Sequence, residues 1–254
     1  MSVRVLARLT LTAVLMLMPV VPRAEDATAL AILKQTLQQR FPDIKILDVQ
    51  PTPAPGLFEI YTGDSIVYST ATGDHLILGS MMDTRTKRDL TAQSMDVHNA
   101  IDFASLPTGQ AIKVVKGNGK RQLAVFADPD CPYCKKLEQE LASVSDVTVY
   151  TYLYPLANLH PDAPTKAHAI WCSANRSETW THWMVSQEPA KPQANCSEDP
   201  LKDLQALGAK LHINSTPTLF LGNGKRISGM LTAAELEKAL DWSAGAAPAK
   251  TANN

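Results

Sequence analysis

Apolar and polar residues follow two different spacings along this chain, and the change between them predicts its elements. Between Ala27 and Phe41 the apolar residues recur at the three- and four-residue spacing of an amphipathic helix, which Pro42 ends. Short runs of β-forming residues follow, separated by turn signals such as Gly63-Asp64, and they cover 44–49, 57–61, 66–69 and 75–81. A helix followed by a β-meander predicts a small α+β domain over residues 25–84.

The last of these runs, residues 75–81, has few features that protect a strand edge. A domain of this size also buries only a small core when it stands alone. We therefore expect it to pair with a second copy of the chain. The alternative is a monomer whose own helix covers the edge.

Residues 85–105 contain neither proline nor glycine, and their apolar positions permit a helix. They predict a stiff helical linker that holds two domains apart. The alternative interpretation is that this helix is simply the first element of the next domain.

The longest part, residues 106–243, combines strand and helix spacings. Gly222-Asn223-Gly224 lies between two short apolar runs and predicts a β-hairpin. The other predicted elements are strands at 111–115, 122–127 and 147–153, a helix from Cys131, a helix-rich stretch over 163–211 and a helix over 232–240. This order predicts an α/β domain, and residues 244–254 are predicted to form a disordered tail.

The N-terminus predicts export. Arg4 and Arg8 precede an apolar run over residues 9–21, which is the pattern of a secretory signal peptide and is short for a membrane span. We predict a signal peptide over residues 1–24 with cleavage after Ala24; the alternative is an uncleaved anchor. In a Gram-negative bacterium the destination would be the periplasm.

Composition limits the class of protein without naming an activity. The chain is 45% hydrophobic and 19% charged, with a formal net charge of -1, and its lysines and arginines are scattered. Scattered basic residues do not indicate the clustered basic surface that binds nucleic acid. Four cysteines in an exported chain permit disulfides.

Cys131 and Cys134, separated by Pro132 and Tyr133, carry the predicted chemistry. They follow an apolar strand and begin a helix, where backbone N–H groups and the helix dipole stabilise a thiolate at Cys131. Pro132 suits the first helical position, and Cys134, one turn later, is the expected resolving thiol. The alternatives are half of a zinc site and a purely structural disulfide.

Cys172 and Cys196 enclose a polar stretch and suggest a different role. A bond between them closes a loop of 25 residues, for which chain entropy gives roughly 3.5 kcal/mol of stabilisation. We predict a structural disulfide; the alternative is a second redox-active pair.

Thr216-Pro217 stands directly before the predicted hairpin. A proline that opens a strand beside a redox site can be cis, which would leave the Thr216 backbone free to pair with an extended substrate. Trans is the commoner state of such a bond, so the sequence alone leaves this open.

Three segments resemble the bacterial periplasmic disulfide isomerases of the DsbC/DsbG type, which contain a thioredoxin fold. They are residues 126–138 around Cys131 and Cys134, residues 169–172 and residues 215–218. The resemblance implies an α+β cystatin-like dimerisation domain, a helical linker and an α/β thioredoxin-fold catalytic domain with a helical insertion. It also implies a V-shaped homodimer whose cleft holds misfolded proteins.

The same resemblance assigns roles to residues. Cys131 would be the nucleophile, Cys134 the resolving thiol, Thr216-cis-Pro217 the substrate-binding loop and Cys172–Cys196 the structural disulfide. It implies no cofactor or metal, and a membrane electron donor of the DsbD type that keeps the active cysteines reduced.

One departure from the family concerns the balance between isomerase and reductase activity, and one difference from thioredoxin concerns proton transfer to Cys134. The dipeptide is Pro132-Tyr133 where the best-known isomerases have Gly-Tyr, and the dipeptide influences the reduction potential. Val125 stands where thioredoxin has a buried aspartate, so proton transfer to Cys134 must use water or another group, for which Asp128 is a candidate.

The main hypothesis is therefore a periplasmic thiol:disulfide isomerase or reductase that acts on misfolded exported proteins and also has chaperone activity. The alternatives are a cysteine-independent holdase chaperone and a thiol reductase dedicated to one client.

Overall fold

The computed structural model describes residues 24–190, 196 and 199–245. Apart from Ala24, the predicted signal peptide lies outside these residues, and so does the tail beyond residue 245. Among the described helices none is long and apolar enough to cross a membrane.

The N-terminal part packs one helix against an antiparallel sheet. Leu33 and Leu37 of the helix meet Val49 and Ile60 of the sheet in a small apolar core. The strands follow one another across the sheet in chain order, as a meander does. The elements are α1 (Ala24–Arg40), β1 (Asp48–Pro51), β2 (Leu57–Tyr61), β3 (Ile66–Thr70) and β4 (Leu76–Ile77).

Two of the predicted strands are wrong in extent. Residues 44–47 form no strand, and the Gln38 side chain binds two of the backbone groups in this segment. Its Nε2 donates to the Ile44 carbonyl oxygen at 2.9 Å, and its Oε1 accepts from the Ile46 N–H at 3.1 Å. The run at 75–81 yields only the two residues of β4. Gly79, at φ 147, ends it, and a short hairpin of β5 (Met82–Asp83) and β6 (Arg88–Asp89) follows.

The linker contains one α-helix, α2 (Leu90–His98), which begins where the Asp89 side chain accepts a hydrogen bond from the Ala92 N–H at 2.9 Å. Rather than standing free, α2 packs on the N-terminal sheet. The His98 ring stacks on Tyr61 with 4.2 Å between centroids, and Ser94 hydrogen-bonds to the buried carboxylate of Glu59. The helix is thereby tied to the first domain.

The C-terminal part is a five-stranded sheet with helices on both faces. Its strand order is β11-β10-β8-β9-β7, with β8 and β9 parallel and the other pairs antiparallel. This is the predicted thioredoxin fold, and three helices inserted between β9 and β10 form the predicted helical insertion. The elements are β7 (Ile112–Lys116), β8 (Arg121–Ala127), α3 (Pro132–Leu141), β9 (Val147–Leu153), α4 (Ala163–Trp171), α5 (Arg176–Ser186), α6 (Leu201–Lys210), β10 (Thr218–Leu221), β11 (Arg226–Ser228) and α7 (Ala233–Gly245).

The predicted hairpin also joins the linker to this sheet. Gly224 lies in its turn at φ 88, and its carbonyl oxygen accepts from the Ile101 N–H at 3.1 Å. A Cβ at this position would lie 1.9 Å from the Ile101 carbonyl oxygen, so only glycine fits. Nearby, Lys225 of the turn pairs with Asp96 of α2 at 2.8 Å.

Candidate active site

Cys131 lies between the central strand β8 and helix α3. It is the N-cap residue of that helix, and Pro132 occupies the first turn. The Cys131 N–H donates to the Asp128 carbonyl oxygen at 3.2 Å, and the Cys131 carbonyl oxygen accepts the helical hydrogen bond from the Lys135 N–H at 3.1 Å. The sulfur therefore lies at the positive end of the α3 dipole, as the sequence predicts.

The two sulfurs of the pair differ strongly in ionisation. A hydrogen bond from the Cys134 thiol lowers the pKa of Cys131 to about 5, assisted by Thr216 and by the backbone N–H groups of Cys134 and Tyr133. Burial, with the neighbouring Cys131 sulfur, raises the pKa of Cys134 far above the usual range of a thiol. The side chains are only 5% and 2% exposed, so ionisation rather than exposure distinguishes them.

The Thr216–Pro217 loop faces this pair. The bond between the two residues is cis, and the Cys131 sulfur lies 3.3 Å from the Thr216 carbonyl oxygen, to which the protonated thiol donates. The loop leads directly into β10, which pairs with β8. The structure thus brings together residues that are 85 positions apart in the sequence.

The intervening dipeptide points outward. Tyr133 is 57% exposed, and its ring lies 5.6 Å from the Lys136 ammonium group. Pro132 is also exposed. The dipeptide is thus the exposed part of the segment between the two cysteines, whereas Pro217 of the facing loop is buried.

Comparison with known proteins agrees with this geometry. Residues 108–243 match the thioredoxin-like domain family, and residues 22–92 match the disulfide bond isomerase protein N-terminal domain. A probable thiol:disulfide interchange protein DsbC of Bordetella avium is 40% identical over 208 residues, which cover 82% of this chain and 73% of that protein. The thiol:disulfide interchange protein DsbC of Escherichia coli K12 is 29% identical over 223 residues, which cover 86% of this chain and 89% of that protein.

A disulfide interchange protein from Neisseria gonorrhoeae has been solved as a crystal structure. It is 39% identical, with a TM-score of 0.52, and the match covers 58% of this chain and all of that one. The chain belongs to the DsbC family. Members of this family are thiol:disulfide interchange enzymes, so the predicted enzyme class is confirmed.

In this DsbC-family chain Asp128, three residues before Cys131, has a fully buried carboxylate. Its Oδ2 accepts from the Leu156 N–H at 2.7 Å and lies 3.0 Å from His160 Nδ1, while its Oδ1 accepts from the Asp130 N–H at 2.7 Å. The Asp128 N–H in turn faces the Cys134 sulfur. Sequence reasoning named Asp128 as a candidate and missed His160, whose separation of 32 residues gives no local signal.

A second set of contacts holds the loop that precedes Cys131. Lys166 of α4 binds both carboxylate oxygens of Asp130, at 2.8 and 2.7 Å. The Trp183 indole N–H of α5 donates to the Pro129 carbonyl oxygen at 2.7 Å. The helical insertion therefore fixes the backbone on the N-terminal side of Cys131, which the sequence did not reveal.

Cys172 and Cys196 form a disulfide, with 5.4 Å between their Cα atoms. Cys172 is the C-cap residue of α4. Because both sulfurs are used in this bond, they cannot supply the thiolates that a four-cysteine zinc site with Cys131 and Cys134 would need.

Proposed function

We propose that this protein isomerises and reduces incorrect disulfides in exported proteins of the periplasm, with Cys131 as the nucleophile and Cys134 as the resolving thiol. The observation that carries the proposal is the opposite ionisation of the two sulfurs at the start of α3. A thiolate is the attacking species in disulfide exchange. Because the pKa of Cys131 is about 5, nearly all of it is available as thiolate at neutral pH.

In the first step the Cys131 thiolate attacks one sulfur of a substrate disulfide. A bond between Cys131 and that sulfur forms as the substrate bond breaks, and the second substrate sulfur leaves as a thiolate. The Thr216–Pro217 loop, 3.3 Å from the Cys131 sulfur, is positioned to pair with an extended substrate segment in the manner of an added strand.

The mixed disulfide then has two outcomes. In isomerisation a substrate thiolate attacks within the substrate and finally releases the Cys131 thiolate, so no electrons are transferred overall. In reduction Cys134 loses its proton and attacks the Cys131 sulfur; the substrate leaves as a dithiol, and the two cysteines become a disulfide. Burial of Cys134 makes its deprotonation costly, which prolongs the mixed disulfide and favours isomerisation.

Reduction leaves the enzyme oxidised, so repeated cycles need an external source of two electrons. We propose a membrane donor of the DsbD type for this role. The signal-like N-terminus, Arg4 and Arg8 followed by the apolar run at 9–21, supports export to the periplasm, where that donor would act.

The unpaired edge of the N-terminal sheet supports a homodimer. Among the described strands, β4 is the last of its sheet and pairs only with β3. Leu78, directly after it, is 78% exposed, and a neighbouring cavity of about 610 Å³ is lined by apolar residues that include Ile44, Leu76 and Leu78. A second copy of this domain would cover that apolar surface.

Refolding of a scrambled multi-disulfide protein tests the enzymatic proposal. We expect the mature chain to restore native disulfides in a glutathione buffer and Cys131→Ala to give only the uncatalysed rate. A sizing measurement on the same sample should give twice the chain mass. Equal refolding with and without Cys131 would overturn the assignment of the nucleophile, whereas a monomeric mass would overturn only the dimer.

A cysteine-independent holdase activity is the second candidate. The C-terminal domain carries exposed apolar side chains, including Tyr133 between the two cysteines and Leu159, which precedes His160 in the chain. Such groups bind unfolded chains without covalent chemistry. If Cys131→Ala still suppresses aggregation of a cysteine-free unfolded protein, the two activities coexist; if neither form does so, the holdase activity is absent.

A further inference from the structure

The segment that joins α6 to β10 ends in the Thr216–Pro217 loop and begins with a strained turn. His212 adopts the left-handed conformation, with φ 51, which glycine usually occupies at the end of a helix. The His212 N–H donates to the Ala209 carbonyl oxygen at 3.2 Å, and the Ile213 N–H donates to the Gly208 carbonyl oxygen at 2.8 Å. These two hydrogen bonds end α6 in a Schellman motif, in which a histidine costs more free energy than glycine would.

Arg226 of β11 binds the carbonyl groups of this turn. Because α6 ends here, the carbonyl oxygens of Leu211 and His212 have no donor from the helix itself. Arg226 Nη1 donates to the Leu211 carbonyl oxygen at 3.2 Å, and Nη2 donates to the His212 carbonyl oxygen at 3.1 Å. The helix dipole also favours a cation at this end of α6. One planar side chain therefore fixes two consecutive carbonyl groups, and with them the direction in which the chain leaves the helix.

The guanidinium group is itself oriented by the linker. Its Nη1 lies 3.4 Å from Asn99 Oδ1, and the same oxygen accepts from the Tyr61 hydroxyl at 2.9 Å. Arg226 is partly buried, and burial lowers the pKa of its side chain. Three oxygen acceptors offset the hydration that the guanidinium loses. Contacts within the protein therefore set its position.

The same strand region also holds the far end of the segment. The Gly229 N–H, directly after β11, donates to the Pro217 carbonyl oxygen at 2.8 Å. Between the two ends, the Ile213 carbonyl oxygen accepts from the Tyr154 hydroxyl at 3.1 Å. Residues 211–217 are thus anchored from β11 at both ends, and only the first of these two anchors depends on a side chain of that strand.

We propose that Arg226 is a positioning residue for substrate recognition, which keeps the Thr216–Pro217 loop in register with an extended substrate by holding the two carbonyl groups at the end of α6. This inference rests on the proposed function, because it requires that a substrate pairs with the loop. It adds a difference between substrates. Arg226 should matter for a disulfide within an extended peptide, whose backbone can pair with the loop, and not for a small disulfide without a backbone.

Single-turnover oxidation of the reduced full chain tests this difference. The substrates are an unstructured peptide with an internal disulfide and hydroxyethyl disulfide, which has no peptide backbone. With either one, Cys131 and Cys134 become a disulfide as the substrate is reduced to two thiols, and acid quenching, alkylation and mass spectrometry follow the reaction. In Arg226→Met the rate constant for the peptide should fall about tenfold, the equivalent of one or two backbone hydrogen bonds. The rate constant for hydroxyethyl disulfide and the pKa of Cys131 should stay unchanged.

Arg176→Met is the matched control. Arg176 also binds a carbonyl oxygen at the C-terminal end of a helix, that of Trp171 in α4, at 2.6 Å, but this end of α4 does not lead into the loop. Its replacement should leave the ratio of the two rate constants unchanged, whatever it does to the urea midpoint. In Arg226→Met, an unchanged ratio or an equal fall of both rate constants would overturn the proposal.

Two further variants separate the turn from general stability. Glycine adopts the conformation of His212 without steric cost, so Arg226→Met combined with His212→Gly should recover most of the peptide rate. Arg226→Lys keeps the charge but not the planar pair of donors, so its peptide rate should lie between those of the parent and Arg226→Met. If Arg226→Met does not fold, Arg226→Lys decides. No recovery with glycine, or a lysine variant equal to the parent, would overturn the role of the paired carbonyl contacts.

Failure of the proposed function gives a different pattern, which the parent alone reveals. If Cys131 of the parent reacts with neither substrate, the assignment of the nucleophile is wrong. If the parent reacts no faster with the peptide than with hydroxyethyl disulfide, the loop does not pair with substrate. Either result removes the basis of the inference. A parent that prefers the peptide, with an Arg226→Met variant that keeps this preference, refutes the role of Arg226 alone.

Discussion

The first cysteines of the two pairs in the C-terminal domain are buried to a similar degree and lie at opposite ends of helices. Cys131 and Cys172 are 5% and 4% exposed and belong to one apolar cluster. Cys131 lies at the N-terminal end of α3 and is free, whereas Cys172 lies at the C-terminal end of α4 and is bonded to Cys196. The helix dipole therefore favours a thiolate at Cys131 and opposes one at Cys172.

The pairs also differ in what their bonds do to the unfolded chain. A bond between Cys131 and Cys134 closes a very short ring and restricts the unfolded ensemble little, so it can be made and broken during catalysis. The Cys172–Cys196 bond spans 24 positions and restricts the unfolded chain much more. We propose that this second bond stabilises the helical insertion.

The largest expected effect that distinguishes the two cysteine pairs is the trapping of a covalent intermediate. Cys134→Ala removes the resolving thiol, so a mixed disulfide between Cys131 and a disulfide-containing substrate should accumulate. Cys131→Ala should form none, because the remaining Cys134 thiol stays protonated and buried. Non-reducing electrophoresis with mass spectrometry measures both. An adduct on Cys134 in Cys131→Ala would reverse the assigned roles.

The next effect concerns stability. Replacing both Cys172 and Cys196 with Ala should lower the free energy of unfolding by about 2–4 kcal/mol, as expected for a long disulfide loop, and leave the ionisation of Cys131 unchanged. Urea denaturation followed by circular dichroism measures the first quantity, and a thiolate titration by ultraviolet absorbance measures the second. A decrease in the free energy of unfolding of less than about 0.5 kcal/mol would show that the bond does not stabilise the folded domain.

The third effect is the pH dependence of the reduced form. The pKa of Cys131 is about 5 in the folded protein, against roughly 8.5 for an unfolded cysteine. Between these values the unfolded chain binds more protons, so the stability of the reduced protein rises with pH and is lost as the pH falls towards about 5. Cys134 opposes this only above roughly pH 8.5, because its folded pKa is raised.

Two measurements check this behaviour. Alkylation of Cys131 in the folded reduced protein should be half-maximal near pH 5, and urea midpoints of the reduced protein should increase from that pH towards neutrality. The oxidised protein serves as the control, because it has no titrating thiol at this site. A midpoint of alkylation near that of free cysteine would contradict the ionisation on which the contrast depends.

The sequence predicted the parts of this site that depend on neighbours along the chain. An apolar strand, a cysteine, a proline and a second cysteine one turn later suffice to place Cys131 at the start of α3. The Thr216–Pro217 loop, which lies far away along the chain, needed the family resemblance as well. Its cis bond could not be chosen from local preferences, since most such bonds are trans.

Contacts between distant side chains were beyond the sequence patterns. His160 with Asp128, Lys166 with Asp130 and Trp183 with Pro129 join residues 32, 36 and 54 positions apart. Nothing in a helical or strand period encodes such distances. In the N-terminal domain the error was of another kind, and there a side chain, that of Gln38, binds backbone groups that the apolar pattern assigned to a strand.

The smallest expected effect lies in the loop before the nucleophile, and it tests whether helix polarity acts alone. Asp130 directly precedes Cys131, and its negative charge is matched by Lys166 at 2.7 Å. Lys166→Met leaves that charge unmatched and should raise the pKa of Cys131 by about 0.2–0.7 units, the equivalent of a partly exposed ion pair. Asp130→Asn combined with Lys166→Met should return it close to the original value.

Lys113→Met is the control for this last prediction, because it removes a lysine charge from an edge strand of the same domain. The Lys113 ammonium group lies 5.8 Å from the ring centroid of Tyr150. It should leave the thiolate titration unchanged. If Lys166→Met leaves the pKa of Cys131 unchanged as well, the ion pair only holds the loop, and the charge at the sulfur is set by α3 and Cys134. If the pKa of Cys131 in the double variant stays as high as in Lys166→Met, the effect comes from a displaced backbone rather than from the charge of Asp130. Only a charge effect is cancelled when both partners are removed.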